Sequence, residues 1–71
     1  MQSLEQKEKA KRGIINLLML TYNFPFEVAE DIVDETQSKI TNAYLTESVK
    51  ECNSILLDYL GLSPDYLWIF L

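Results

Sequence analysis

Between residues 25 and 44, apolar residues recur at intervals of three and four, which is the spacing of one face of an α-helix. The opposite positions carry acids and Asn42. Three of the acids stand in the first turns, where the helix dipole favours negative charge. We therefore predict a long amphipathic helix over this range. Its apolar side comprises Phe26, Ala29, Ile32, Val33, Thr36, Ile40, Ala43 and Tyr44, with Val28 at the margin.

A preceding helix is predicted over residues 3 to 22, and its two halves differ in character. Ser3 followed by Gln6 matches a capping box. The first half is charged, with i,i+4 ion pairs in the favourable order, and we expect it to project into solvent. The second half is apolar around most of its circumference, which is typical of a helix buried on more than one side. Residues 23–25 should interrupt the helical conformation, because a residue before proline avoids α geometry.

A third helix is predicted after a short corner at about residues 45–46. Thr46 can act as its N-cap, and Ser48 with Glu51 offers a second capping box. Gly61 directly after Leu60 is a C-cap signal, so we expect the helix to end there.

The chain ends in six consecutive apolar residues, Tyr66 to Leu71, of which three are aromatic. Ser63 as N-cap and Pro64 at the first helical position predict one last short helix over residues 64–71. A single small bundle can cover only one side of such a segment. Aromatic residues are enriched at the energetic centres of protein interfaces, so the segment is also a candidate docking element.

Two interpretations of this terminal segment stay open. It can fold back and close the open end of the bundle, with Trp68 or Phe70 as the plug, or it can dock on a second copy or on another protein. Leu17 and Leu20 lie on a further apolar side of helix one, which is either covered by neighbouring elements around a central helix or exposed for the same docking. The candidate partner-binding residues are Tyr66, Leu67, Trp68, Phe70, Leu71, Leu17 and Leu20.

The fold class that these patterns predict is all-α: a compact three-helix bundle with a short fourth C-terminal helix. The 71 residues form one helical domain, in which residues 1–12 are a charged helix extension and residues 64–71 an apolar short helix. Two glycines and two prolines are too few for a turn-rich β protein. A chain of this size buries only about 60% of its unfolded surface, so a monomer is expected to be marginally stable.

Charge is divided unevenly along the chain, whose net charge is -5. Residues 1–12 carry four bases and two acids, a net of +2, whereas residues 13–71 carry two bases and nine acids, a net of -7. An acidic body repels phosphate backbones, so we do not expect a nucleic-acid partner. The acidic side of helix two is interpreted as a solvated face.

The residue inventory argues against catalysis. There is no histidine, and the one cysteine, Cys52, falls within the apolar stripe of helix three, where we interpret it as a small buried residue. Zinc therefore lacks its usual ligands, and no Gly-rich phosphate loop or calcium loop is present. We expect no enzyme activity, no catalytic residue, no cofactor, no metal and no small-molecule substrate.

A lone cysteine is typical of a reducing compartment, and the N-terminal stretch has no signal-peptide pattern. No segment approaches the ~18 apolar residues that span a bilayer. We predict a cytoplasmic protein and no membrane partner.

Met19, Phe24-Pro25 and Ile55-Leu56-Leu57 loosely resemble motifs of the ubiquitin-binding CUE and UBA three-helix modules. Those modules use a Met-Phe-Pro or Met-Gly-Phe turn and a di-leucine in the third helix. Here the methionine is not adjacent to Phe-Pro, and predicted helix two is longer. No ubiquitin-binding residue is assigned from this resemblance.

The functional hypothesis is a small non-enzymatic protein–protein interaction module, a homodimeric adaptor, regulator or inhibitor that acts through its apolar and aromatic surface. Its partner is another protein, a second copy of itself, or both. Two alternatives stay open: a nucleic-acid-associated regulator that uses the basic N-terminal segment, and a peripheral membrane element that uses the aromatic C-terminus.

Overall fold

The computed structural model describes residues 4–71 of the chain, so the capping box predicted at Ser3 lies outside the described residues. Three α-helices are followed by a C-terminal 3-10 helix: α1 Leu4–Tyr22, α2 Phe26–Thr46, α3 Val49–Leu60 and the 3-10 helix Pro64–Phe70. Residues 4–71 contain no strand. The prediction of an all-α bundle with a short fourth helix is confirmed.

The break between α1 and α2 falls where it was predicted. Asn23 adopts a left-handed conformation with φ 58, which asparagine tolerates better than most residues. The carbonyl of Pro25 accepts a 3.1 Å hydrogen bond from the Ala29 N–H and so opens α2. The rings of Tyr22 and Phe24 stack across the corner with centroids 5.3 Å apart.

α2 continues two residues beyond its predicted end, and the predicted corner at 45–46 is wrong. The Glu47 N–H donates to the Ala43 carbonyl at 2.8 Å, and the Thr46 hydroxyl donates to the Asn42 carbonyl at 2.7 Å. Thr46 therefore belongs to the last turn of α2 and does not cap α3. Leu45 left the apolar stripe because it faces solvent, 76% exposed, and not because the helix had ended.

Both ends of α3 match the local sequence signals. The Ser48 hydroxyl accepts a 3.2 Å hydrogen bond from the Glu51 N–H, as an N-cap does. Gly61 is left-handed with φ 66, and its N–H donates to the Leu57 carbonyl at 2.9 Å. Glycine is favoured at this position because it has no Cβ to clash in the left-handed region.

α2 is the central element of the bundle. It packs against α1, α3 and the 3-10 helix, whereas no Cα atoms of α1 and α3 come within 8 Å of each other in the described residues. The 3-10 helix contacts all three α-helices and so fills the space between α1 and α3. The interpretation of helix one as a central helix covered on both sides is therefore wrong.

The core contains one buried polar residue, Thr36, whose hydroxyl donates to the Ile32 carbonyl one turn earlier at 2.7 Å. This bond within α2 satisfies the hydroxyl without a partner from another helix. The core draws on all four helical elements, and its apolar members are Ile14, Ile15, Leu18, Ala29, Val33, Ile40, Ala43, Cys52, Leu56, Leu60, Leu67, Ile69 and Phe70.

The charged N-terminal half of α1 projects into solvent only in part. Ala10 packs against the core, and Lys7 and Lys11 are half-buried. The Lys11 ammonium lies 5.8 Å from the centroid of the Phe70 ring, a cation–π arrangement. The prediction of a free charged extension overlooked that a lysine stem can cover apolar surface while its ammonium reaches water.

Candidate functional site

An open apolar groove of about 320 Å³ runs between the middle of α1 and the C-terminal end of the chain. One wall is formed by Ala10, Gly13, Ile14 and Leu17, which follow one side of α1 at intervals of three and four. Ala10 and Gly13 have little or no side chain, so the groove reaches close to the helix backbone at this point.

The other wall comes from the end of α3 and the terminal 3-10 helix. Leu62 follows the glycine cap of α3, and Tyr66, Trp68 and Ile69 come from the 3-10 helix. The cap at Gly61 turns the chain sharply, and Pro64 begins the 3-10 helix, so two local signals bring this wall opposite α1.

The three-residue turn of the 3-10 helix decides which terminal side chains face inward. Leu67 and Phe70 lie three residues apart and share one side, which is buried. Ile69 is buried beside them, and Trp68 is half-buried against the core. Tyr66 and Leu71 remain exposed. The terminal segment therefore closes the bundle with some side chains and presents others to solvent.

The predicted partner-binding residues consequently fall into two groups. Leu67 and Phe70 belong to the core of their own chain, with Phe70 only 2% exposed. Leu17, which is 51% exposed, lines the groove together with Tyr66 and Trp68. The exposed members are Leu17, Leu20, Tyr66 and Leu71, of which Leu17 and Tyr66 line the groove.

Large apolar side chains remain exposed elsewhere on the surface as well. Leu20 is 86% exposed and precedes the α1–α2 corner, where Tyr22, Phe26 and Val28 are also exposed. Exposed large apolar side chains are therefore not confined to the groove, and single exposed residues of this kind are ordinary on a protein surface.

A second recess, of about 340 Å³, lies between α2 and α3 and is polar. Glu47, Glu51 and Asp58 line it, and the Lys39 ammonium stands 5.5 Å from the Tyr59 ring centroid. Within residues 4–71 no group of three or more histidine, cysteine, aspartate or glutamate side chains is placed to hold a metal ion. The recess is therefore lined by charged side chains, and among the described residues these are not arranged as a set of metal ligands.

Cys52 is fully buried, and its thiol donates to the Ile40 carbonyl at 3.4 Å. Burial raises the pKa of the Cys52 thiol, and the carboxylates of Glu51 and Glu47 raise it further. Reaction at sulfur requires the thiolate and access to it. The position matches the interpretation of Cys52 as a small buried residue.

The sequence patterns did not single out Ala10, Gly13 or Leu62 as parts of a site. The signal that could have found the groove is the continuation of the Leu17–Leu20 spacing backwards through Gly13 to Ala10, where large residues give way to small ones. Leu62 carries no such signal, because its position depends on how the chain turns after Gly61.

Comparisons with protein-family models, curated proteins and solved structures found no match to this chain. Function must therefore be argued from the groove and the surface around it. Within residues 4–71 no helix combines the length and the apolar character needed to cross a membrane.

Proposed function

We propose that this protein is a small non-enzymatic interaction module of the cytoplasm, a homodimeric adaptor, regulator or inhibitor that binds through the apolar side of α1 and the adjoining C-terminal 3-10 helix. The observation that carries this proposal is the groove between these two elements, with Leu17 and Tyr66 exposed along it. A groove of this kind suits the apolar face of a helix, which docks through residues one turn apart.

The balance between core and surface supports the same proposal. The terminal segment uses Leu67, Ile69 and Phe70 to close its own bundle, yet Leu17, Leu20 and other large apolar residues stay in contact with water. Burying apolar surface contributes roughly 25 cal/mol per Å², so covering these residues would stabilise a domain this small. Trp68 and Tyr66 supply the aromatic character that interface centres favour.

The two alternative functions have less support. Lys11, one of the four bases of the N-terminal segment, holds its ammonium over the Phe70 ring, and residues 13–71 carry a net charge of -7 that opposes nucleic acid. Phe70 is buried and Trp68 is half-buried, so Tyr66 is the one exposed aromatic residue that the C-terminal segment could offer to a lipid interface. The lack of histidine and the burial of Cys52 favour a non-enzymatic role.

A site-specific photocrosslinker tests the proposal in the cells that make the protein. Benzoylphenylalanine replaces Leu17 in one variant and Leu57 in a matched control. Leu57 is an equally apolar leucine, 60% exposed, on α3 and outside the groove lining. Illumination should yield discrete protein adducts from position 17 and few or none from position 57.

A second variant adds Gly13→Leu to the chain with the crosslinker at position 17. A Cβ at Gly13 meets no atom within 4 Å and Gly13 lines the groove, so we expect the leucine to occupy the groove, with circular dichroism to check that the variant is folded. The adducts should then disappear. Equal crosslinking at positions 17 and 57, or crosslinking unchanged by Gly13→Leu, would contradict the proposal.

A further inference from the structure

Four residues on the groove side of α1 follow the spacing of a helix–helix seam. Ala10, Gly13, Leu17 and Leu20 are separated by three, four and three residues. An alternation of three and four corresponds to the seven-residue repeat by which two helices keep one side in contact along their length. The first three line the groove, and Leu20 continues the line one turn further on.

The side chains of the seam are small in its N-terminal half and large in its C-terminal half. Gly13 leaves open space, since even an added Cβ there meets no atom within 4 Å, and Ala10 presents only a methyl group. Leu17 and Leu20 project from the same side one and two turns later, and both are exposed. The seam therefore has hollows in its first half and protruding side chains in its second.

The two halves match each other when one helix is reversed. In an antiparallel pair centred on residue 15, position 20 of one helix faces position 10 of the other, and position 17 faces position 13. Each leucine then meets a hollow, Leu20 over Ala10 and Leu17 over Gly13, and the match occurs twice because of the two-fold symmetry. A parallel pair would instead place leucine on leucine and hollow on hollow.

We propose that the occupant of the groove is α1 of a second copy of this chain, paired antiparallel about a two-fold axis near residue 15. This inference rests on the proposed function, to which it adds the identity of the occupant and the register of the contact. Leu17 and Leu20 of each copy enter the groove of the other, with Tyr66 and Trp68 along the outer wall.

The charges of the two halves favour the same arrangement. The bases of α1 lie before Gly13, and the acids nearest its other end are Glu27 and the following acids in the first turns of α2. Antiparallel pairing about residue 15 places Lys7 and Lys9 level with positions 23 and 21 of the second copy, four and six residues before Glu27 in the sequence. Parallel pairing would bring the two basic halves together, which like-charge repulsion opposes.

The register of the helix pair is tested by exchanging the small residue Gly13 and the large residue Leu17. Gly13→Leu alone places leucine against Leu17 of the second copy, and Leu17→Gly alone leaves hollow against hollow. The double variant Gly13→Leu/Leu17→Gly restores one leucine and one hollow at each contact. It also keeps the amino-acid composition and the number of helical glycines of the parent, so it controls for helix propensity.

Sedimentation equilibrium of the purified chain measures the outcome, with circular dichroism to confirm that each variant is folded. The parent should sediment at twice the 8.2 kDa chain mass as concentration rises. Each single variant should raise the dimer dissociation constant by about tenfold or more, and the double variant should return it towards the parental value. Leu17→Ala replaces Leu17→Gly if the glycine variant is not helical.

Mixing the two single variants provides an independent arm. A Gly13→Leu chain and a Leu17→Gly chain present leucine to glycine at both contacts, so they should form a mixed dimer more readily than either variant pairs with itself. A parent that stays monomeric at every concentration, or single variants that neither the double exchange nor mixing rescues, would overturn the inference.

These outcomes are distinguishable from a failure of the proposed function. A monomeric parent whose position-17 crosslinker still captures a different protein, in a manner blocked by Gly13→Leu, overturns both the inference about the occupant and the homodimeric state, and it supports an interaction module that binds a different protein through the groove. A monomeric parent with no groove-dependent adduct rejects both.

Discussion

The side-chain amide of Gln37 donates a 2.7 Å hydrogen bond to the backbone carbonyl of Phe70, 33 residues further along the chain. This bond ties the middle of α2 to the last turn of the 3-10 helix. The Lys11 ammonium of α1 lies over the Phe70 ring, so side chains from two helices contact Phe70 near the end of the chain. The wall of the groove that contains Trp68 is thereby fixed to the bundle.

Gln37→Ala should loosen the terminal segment. The variant removes the donor to the Phe70 carbonyl, and we expect the free energy of unfolding to fall by about 1 kcal/mol, the usual net value of such a bond. Urea unfolding measures the change, and Trp68 emission should shift to longer wavelength if the segment opens. Thr41→Val is the control, because it removes only the 3.1 Å contact between Gln37 Nε2 and the Thr41 hydroxyl. An equal effect of the two substitutions would show that the Phe70 bond has no special role.

Phe70→Ala should remove the plug of the bundle. Truncating a buried phenylalanine costs about 3–5 kcal/mol, a large share of the stability of a small domain. We expect loss of helical circular dichroism at lower urea concentration or lower temperature. Leu71→Ala, one residue further along and 49% exposed, should change the free energy of unfolding by less than about 0.5 kcal/mol. Similar effects at positions 70 and 71 would mean that the ring is not part of the core.

The two glycines should respond to alanine in opposite directions. Gly13→Ala adds a methyl group in open space within a helix and should stabilise the protein by about 0.5–1 kcal/mol. Gly61→Ala places a side chain at φ +66, where it is strained, and should destabilise by about 1 kcal/mol. Thermal unfolding measures both, with shifts of about 4–8 °C per kcal/mol expected for a domain of this size. The expected gain applies at concentrations at which the chain is monomeric, where a destabilised Gly13→Ala variant would contradict the open space at Gly13; in the proposed dimer the same methyl group would lie against Leu17 of the second copy.

Stability should decline in alkaline solution because of Cys52. Burial raises the pKa of the folded thiol, whereas in the unfolded chain it ionises at about pH 8.5. The contribution is fully present below the unfolded value and is lost as pH rises towards the folded value, because only the unfolded state releases the proton. Urea unfolding of the parent and of Cys52→Ala across this range checks the effect. The alanine variant should be less stable at neutral pH but should lose less stability as pH rises, and parallel curves would refute the assignment.

The ends of the helices could be predicted wherever the signal was local. Ser48 caps α3 through the Glu51 N–H three residues later, and Gly61 ends the same helix in the left-handed conformation. Such interactions span a few residues and need no other element. The end of α2 was predicted too early, because Leu45 leaves the apolar stripe while the backbone hydrogen bonds continue to Glu47.

The candidate site could be predicted only in outline. The sequence identified Leu17, Leu20 and the terminal aromatic segment, but it left Trp68 and Phe70 as alternative plugs and did not choose between plugging and docking. All six terminal residues are apolar, so hydrophobicity cannot rank them. Their orientation follows from the three-residue turn of the 3-10 helix and from the position of Gln37 and Lys11 on other helices.

The sequence by itself determined that this chain is helical, where most of its helices begin and end, and that its apolar content exceeds what one covered side per helix requires. Periodicity, capping residues and composition act over short stretches of chain, so the sequence alone is enough to predict the helices from them. Only the tertiary structure decided that α2 is central, that Phe70 is buried and that Leu17 and Leu20 remain exposed. A helix that is apolar on several sides can bury any one of them. Which side is buried depends on the competition among distant segments for the same core.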